Sequence, residues 1–367
     1  MKICHITSAH PTFDIRIFHK ECVSLAEAGF EVSLVCTSTK NNTFYEKGVK
    51  IIQVQTDSKS RFYRMVTSVN QVYKAAIGEN ADAYHLHDPE LIRLIPKFKK
   101  HHKLVVFDAH EDLPGQILGK HYIPRMFRIT ISRFIKLIQK KYIPKANALI
   151  TAVESNSLKM NLLNRRIVTI NNYPINNEFN TFNYKNSRNV CYIGSIAIVR
   201  GIKEAIQGVS LANTKLLLAG PFSPQSLLLD LQKLPGWHNV EYYGIADRKT
   251  LVKILENSAL GIANLHNLAS FIENPATKIY EYMAAGLPVI ASSFPLWKTI
   301  IEDNNCGICV DPTNVKQIAD AINIILANPD RAKTMGENGR KAFLAKYNWD
   351  AEKPKLINLY KELAASL

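Results

Sequence analysis

No run of eighteen apolar residues occurs in this 367-residue chain, so no segment is long enough to cross a bilayer as a helix. Met1-Lys-Ile-Cys-His-Ile enters a strand pattern directly with no signal-peptide profile, and the expectation is a cytoplasmic protein. Cysteine is sparse. The six, at positions 4, 22, 36, 191, 306 and 309, are scattered mostly through apolar patterns, which excludes a disulfide framework and fits reduced core thiols. Cys306-Gly-Ile-Cys309 has the spacing of a zinc or redox half-site, but no second pair or clustered His accompanies it, and the spacing reads as coincidence. No Asp-x-Asp pair occurs to hold a divalent cation on a diphosphate, and no metal site is expected. No G-x-G-x-x-G follows any strand, which argues against a nicotinamide or flavin dehydrogenase.

Acidic residues are also scarce, and unevenly so. Residues 1 to 172 hold 26 Lys or Arg against 14 Asp or Glu, whereas residues 173 to 367 hold 20 against 17. The first half therefore carries most of the +15 net charge and suits an anionic partner: nucleic acid, an anionic membrane surface or a phosphorylated acceptor.

What is present is an alternation of short apolar runs with helical patterns. Lys2 to Thr7, Glu31 to Cys36, Ala83 to Leu86, Leu104 to Asp108 and Ala148 to Thr151 read as strands, with a helix from about Ile15 to Ala28 that Gly29 stops. The stretch from Asn171 to Ser187 is polar and Asn-rich and reads as a linker. A second series follows, with strands at Val190 to Gly194, Lys215 to Gly220 and Asn239 to Gly244 and a helix at Lys203 to Val209. The class is α/β, two Rossmann-like doubly wound domains facing a cleft: 1–172, a linker at 173–187, 188–348, and a last helix within 349–367.

The densest chemistry lies in Glu273-Asn-Pro-Ala-Thr-Lys-Ile-Tyr-Glu281-Tyr-Met-Ala-Ala-Gly-Leu-Pro-Val-Ile. Asn274 suits an N-cap, Pro275 the first helical position and Gly286 a left-handed stop, which puts Glu273 on a loop and Glu281 two turns into a helix. Free N–H groups at Ala276 and Thr277, with the charge of Lys278, make a seat for phosphate. A carboxylate on either side can accept paired hydrogen bonds from vicinal hydroxyls.

The full string resembles the E-x7-E signature of the retaining glycosyltransferases of family 4. That resemblance covers nearly the whole chain and implies the GT-B fold, with the final helix crossing back to the first domain. It implies a nucleotide-diphosphate sugar donor, expected to be a UDP-sugar, and a saccharide or polyprenyl-diphosphate-linked acceptor. It also implies retention of configuration, with the leaving phosphate oxygen helping to deprotonate the acceptor, and no metal or other cofactor. On it, Glu273 holds the transferred sugar and Glu281 the ribose diol.

In Gly194-Ser-Ile-Ala-Ile-Val-Arg200-Gly201 the family commonly has an Arg after the first Gly and a Lys before the second. Arg200 matches the second, Ser195 stands at the first, and Arg16 is the candidate replacement. His110, in Asp108-Ala-His110, matches the family's D-x-H segment beside the reacting sugar. Gly244 and Ile245 are placed to border the nucleobase through the main chain. His85 and His87 share one side of a strand like a metal pair, but with no third ligand in view they read as cleft wall, with Asp88 at a helix N-cap.

Between Gly119 and Lys145 stand eight Lys or Arg and no acidic residue. On a helix, Arg125, Arg128, Lys136 and Lys140 share one face, and Phe127, Ile131, Phe134 and Ile138 the opposite one. The apolar stripe suits packing on the sheet, the basic face suits resting on the inner leaflet of the cytoplasmic membrane as a peripheral anchor, and the two readings are compatible. Two other functions share these features. A sugar-nucleotide epimerase or hydrolase would use the same fold without an acceptor. A nucleic-acid binder would interleave exposed aromatics with the bases, whereas Phe127 and Phe134 lie on the apolar side, so no nucleic acid partner is expected.

Overall fold

Continuous apolar runs of four to eight residues make strands buried on both faces, the condition under which parallel sheets form. The computed structural model describes residues 1–56, 67–109, 112–119, 123–176 and 187–367. The chain divides into two units, Met1–Asn172 with Glu352–Leu367, and Tyr173–Ala351.

The first unit contains β1 (Lys2–Thr7), β2 (Glu31–Ser38), β3 (Asn42–Glu46), β4 (Val49–Gln55), β5 (Ala83–Leu86), β6 (Leu104–Ala109), β7 (Ala148–Thr151) and β8 (Ile167–Thr169). Among the described residues these form one sheet in the order β3-β4-β2-β1-β5-β6-β7-β8, parallel except for the β3–β4 hairpin. Lys47 and Gly48 turn that hairpin with φ of 48° and 77°, the two left-handed residues a tight two-residue loop requires. His5 of β1 lies in register with His85 of β5, at the point where strand order reverses.

The expected helix from Ile15 is present but starts with wide i→i+5 turns over Ile15–Cys22 before continuing as Val23–Glu27. The Asp14 carboxylate caps it, accepting from the backbone N–H groups of Arg16 and Ile17 at 2.9 Å each. The wide turns bury Arg16, Lys20 and Glu21 together. Glu352–Leu367, the greater part of the last helix (Trp349–Ala364), belongs to this unit. Glu352 accepts from Asn171 N at 2.8 Å, and Tyr360 is buried against Phe30.

The basic helix runs from Arg125 to Tyr142, and the side it packs differs from the expected one. Ser132 is its buried residue, and Ile138 and Tyr142 join the core. Arg128 turns to this inner side and donates to the Leu118 carbonyl at 2.9 Å, so it leaves the exposed basic face. Met126, Phe127, Phe134 and Leu137 are exposed. The expected stripe of Phe127, Ile131, Phe134 and Ile138 is therefore split, with only Ile138 inside. The small Ser132, donating to Pro114 O, allows the close approach that sets the rotation.

The second unit contains β9 (Val190–Ile193), β10 (Leu216–Ala219), β11 (Val240–Tyr242), β12 (Leu260–Ala263), β13 (Val289–Ser292) and β14 (Gly307–Val310). They form an all-parallel sheet in the order β11-β10-β9-β12-β13-β14. The start of the expected linker is a packed part of this unit. Tyr173 stacks edge-on with Tyr280 and Tyr347, and Pro174 O accepts from Trp349 N at 2.9 Å. Residues 177–186 lie outside the described residues. Cys306 is buried and Cys309 partly so, both are free thiols, and burial pushes each up to about 12.

Candidate functional site

In the second unit the strand order reverses between β9 and β12, and a crevice outside the carboxyl ends of strands at such a point is where open α/β sheets bind ligands. Gly194 follows β9 with φ of 91°, and Gly201 closes the same loop with φ of 72°. A β-carbon on Gly201 would stand 2.0 Å from the Asn264 carbonyl oxygen, so only glycine fits. Asn264, buried at the end of β12, donates to Gly201 O at 2.8 Å, and His266 N donates to Val199 O at 3.0 Å. The loop is thereby clamped, and Arg200 rides on it, half-buried, its guanidinium 5.5 Å from the centre of the Phe271 ring.

The helix of the E-x7-E string starts later than its sequence suggests. It spans Thr277–Ala284, with Ala276 in the cap position and no side-chain cap. Asn274 does not cap it and Pro275 is not its first residue. Asn274 N instead donates to Phe271 O at 3.3 Å, closing the short helix Ala269–Ile272. Glu281 is consequently the fifth helical residue, one turn in rather than two. Glu273 is exposed on the preceding loop, Thr277 is exposed at the first helical position, and Gly286 ends the helix with φ of 69°.

Lys278 is the unusual member of this group. It is 5% exposed, its Nζ has no hydrogen-bond partner among the described residues, and it lies 3.3 Å from the centre of the Tyr192 ring. Its Cε is the nearest atom to where a Gly194 side chain would be, at 3.9 Å. Burial, and next the charge of Arg200, hold its ammonium well below the usual lysine range, while Glu281 works the other way. An amine and a guanidinium thus converge beside an uncapped helix N-terminus and a glycine loop, an arrangement that favours an anion.

Glu281 is held by a residue that sequence reading passed over. Arg248 Nη1 donates to its Oε1 at 3.0 Å. Arg248 opens a helix, Arg248–Glu256, that Asp247 caps by accepting from Thr250 N at 2.8 Å. The Asp-Arg pair just after Gly244 was the available signal. Gly244, at the end of β11, has φ of 69° and its carbonyl accepts from Gly220 N, while Ile245 beside it is 80% exposed.

In the first unit, Arg16 is not available to a ligand. It is buried, with Nε and Nη2 donating to Asp108 at 3.0 to 3.2 Å and Nη1 donating to Ile170 O at 2.9 Å. The wide helical turns carry it inward, away from the phosphate contact expected of it. His85 and His87 are likewise buried and line no cleft. Asp88 is the N-cap residue of the following turn, but its carboxylate makes no cap bond and instead reaches across to the end of β1, accepting from Ser8 N at 2.5 Å and Thr7 Oγ1 at 2.9 Å. It also pairs with His10 Nδ1 at 2.9 Å. His110 lies outside the described residues. Arg125, Lys136 and Lys140 are exposed on their helix.

Residues 17–172 match the family model described as Glycosyltransferase Family 4, and residues 175–342 that described as Glycosyl transferases group 1. Alpha-D-kanosaminyltransferase of Streptomyces kanamyceticus is 28% identical over 185 residues, 47% of this chain and 45% of that protein, so the chain matches less than half of that relative's length. Among solved structures, sucrose-phosphate synthase from Thermosynechococcus elongatus superposes with a TM-score of 0.76 at 18% identity, covering all of both chains. Anabaena Alr3699/HepE in complex with UDP and glucose gives 0.70 at 12%, again over all of both chains. These two likenesses are of fold.

Proposed function

We infer that this chain, which belongs to the GT-B glycosyltransferases of the family 4 type, transfers a sugar from a nucleoside-diphosphate sugar to a saccharide or lipid-linked acceptor in glycan biosynthesis. The observation that carries this reading is Lys278, a buried amine with no hydrogen-bond partner among the described residues, set in the first turn of an uncapped helix beside Gly194. Burying such a group is costly unless a ligand completes it, and a diphosphate supplies both the acceptor oxygens and the charge.

In this reading Lys278, Arg200 and the N–H groups around Ala276 and Thr277 hold the diphosphate, with the Gly194 backbone close by. Glu281, oriented by Arg248, takes the ribose diol, and Glu273 the hydroxyls of the transferred sugar. Gly244 and Ile245 border the base, where a small residue and an exposed apolar side chain suit a flat ring. UDP is the favoured nucleotide, since HepE, of the same fold, binds UDP.

The reaction we favour retains configuration. The bond from the anomeric carbon to the β-phosphate oxygen breaks, the acceptor oxygen bonds to the same face, and the acceptor proton passes to the departing phosphate oxygen. Charge growing on that oxygen is offset by Lys278, Arg200 and the helix end, without a metal. His110 is assigned to the reacting sugar by its motif. The helix Arg125–Tyr142 presents Met126, Phe134 and Leu137 among Arg125, Lys136 and Lys140, a surface suited to anionic lipid at the inner leaflet, where a polyprenyl-linked acceptor would be met.

The test is calorimetric titration with a panel of nucleotides and nucleotide sugars in EDTA. One nucleoside diphosphate should bind without metal, and Glu281→Ala should weaken it at least tenfold. Unchanged binding in that variant, or binding that needs a divalent cation, would overturn the assignment.

A further inference from the structure

His85 and His87 alone fall short of a metal site, and folding brings two more ligands to them. His5 comes from β1, His85 and His87 from the end of β5, and Glu21 from the wide-turned helix Ile15–Cys22. One ligand atom from each lies within 4.8 Å of the others, and all four residues are buried. His5 Nδ1 and His87 Nε2 are 2.9 Å apart, and Glu21 Oε2 is 3.9 Å from His85 Nε2 and 4.0 Å from His87 Nε2.

We propose that His5, Glu21, His85 and His87 form a zinc site that clamps β1, β5 and the Ile15–Cys22 helix together inside the first unit. Tetrahedral zinc with bonds of about 2.0–2.1 Å places its ligand atoms roughly 3.4 Å apart, within the range of the three separations above. The imidazoles pack ring to ring, His85 against His87 at 4.3 Å and against His5 at 4.5 Å between centroids, so chelation fans the rings until their lone pairs converge.

A second observation points the same way. Both ring nitrogens of His85, Nε2 of His5 and Oε2 of Glu21 have no hydrogen-bond partner among the described residues. Buried polar atoms are ordinarily paired, and a zinc bound here would complete two of these four, His85 Nε2 and Glu21 Oε2. Around them stands a suitable outer layer. Asp108 Oδ2 is 3.7 Å from His87 Nδ1, the carboxylate-beside-histidine arrangement that orients a metal ligand, and Arg16 holds both Asp108 and Glu21 Oε1. The donors are nitrogen and carboxylate oxygen, which suit zinc over magnesium or calcium. Four protein ligands, all sealed from solvent, make the site structural. It is separate from the donor site of the second unit and independent of that proposal.

The protein is unfolded in guanidinium, stripped with a chelator, and refolded with or without zinc sulfate. Bound metal is counted by mass spectrometry after desalting, and thermal unfolding is recorded. We expect about one zinc per chain and a higher Tm with zinc. His85→Ala and Glu21→Gln should each cut zinc affinity at least tenfold and abolish the Tm increment, whereas replacing the exposed pair His101 and His102 by Asn should change neither. Wild-type protein that refolds without taking up zinc overturns the proposal, as does equal zinc retention in both ligand variants. Should those variants fail to fold, cobalt-loaded wild type decides: visible absorption of tetrahedral Co2+ supports the site, and its absence refutes it.

Discussion

Replacing Lys278 by Met separates the contribution of the buried amine to ligand binding from its cost to the folded protein. Met keeps the length and apolar stem and removes only the ammonium. Without nucleotide, the wild-type amine sits in a site that disfavours its charge, with Tyr192 as its aromatic neighbour and no hydrogen bond among the described residues. Relieving one unpaired buried polar group is worth about 1–3 kcal/mol, so the variant should be more stable by at least about 1 kcal/mol. For a unit of this size that is a Tm higher by roughly 2–4 °C.

The sign with pH follows. A folded-state value below the ordinary lysine value means that the unfolded chain binds the proton more tightly, so wild-type stability rises with pH towards the ordinary value. The advantage of Lys278→Met should therefore shrink as the solution becomes alkaline. Nucleotide binding should move the other way, because a charge-assisted contact worth about 1.5–3 kcal/mol is lost, weakening affinity about 10- to 150-fold. Calorimetry in buffers of different ionisation enthalpy should also show wild type taking up a proton on binding and the variant taking up none. A variant that is less stable than wild type and binds nucleotide equally well would refute the reasoning.

Two further outcomes are expected. Neutralising Arg125, Lys136 and Lys140 to Gln should lower partition onto vesicles containing anionic lipid by about 3 kcal/mol in total, at about 1 kcal/mol per charge, while UDP affinity stays unchanged; an equal vesicle-bound fraction in a sedimentation assay would leave the helix a packing role. The His10–Asp88 pair should give two opposed pH limits. Asp88 is held down to about 2, by His10 first among its favourable contacts, so its stabilisation is present above the ordinary carboxylate value and fades as pH falls towards 2. His10 is raised by the Asp88 hydrogen bond, so its contribution is complete below the ordinary histidine value and fades as pH rises through the folded one. Urea unfolding of His10→Gln should therefore show its largest deficit in mildly acidic solution, and a deficit that grows with alkalinity would contradict the pairing.

Much of the architecture was legible in the chain because each buried strand is a short, mostly apolar run. Lys2–Thr7, Ala83–Leu86 and Ala148–Thr151 fall where their residues place them, and β9, β10 and β11 differ from expectation only at their ends. The β3–β4 hairpin was passed over because its outer strand is exposed and polar, leaving Lys47-Gly48 as the one local signal. The donor-site residues could be named because they fall in one short string and one glycine loop, where local chemistry and spacing speak directly.

The remainder was decided by folding. Arg16 is a candidate phosphate contact by sequence and a core ion pair by structure, because the wide turns after Asp14 rotate it towards Asp108, ninety-two residues away. The basic helix shows an apolar stripe at regular spacing, yet the side that packs inward is the one carrying the small Ser132, bonded to Pro114 of the preceding helix. Arg248 and Glu281, or His5, Glu21 and His85, are strangers in the chain and neighbours in space. Sequence by itself determined which segments are buried and which groups can do chemistry, since hydrophobic period and residue type are local properties. Which charges are spent on one another, and which remain for a ligand, was set by long-range contacts that no local pattern encodes.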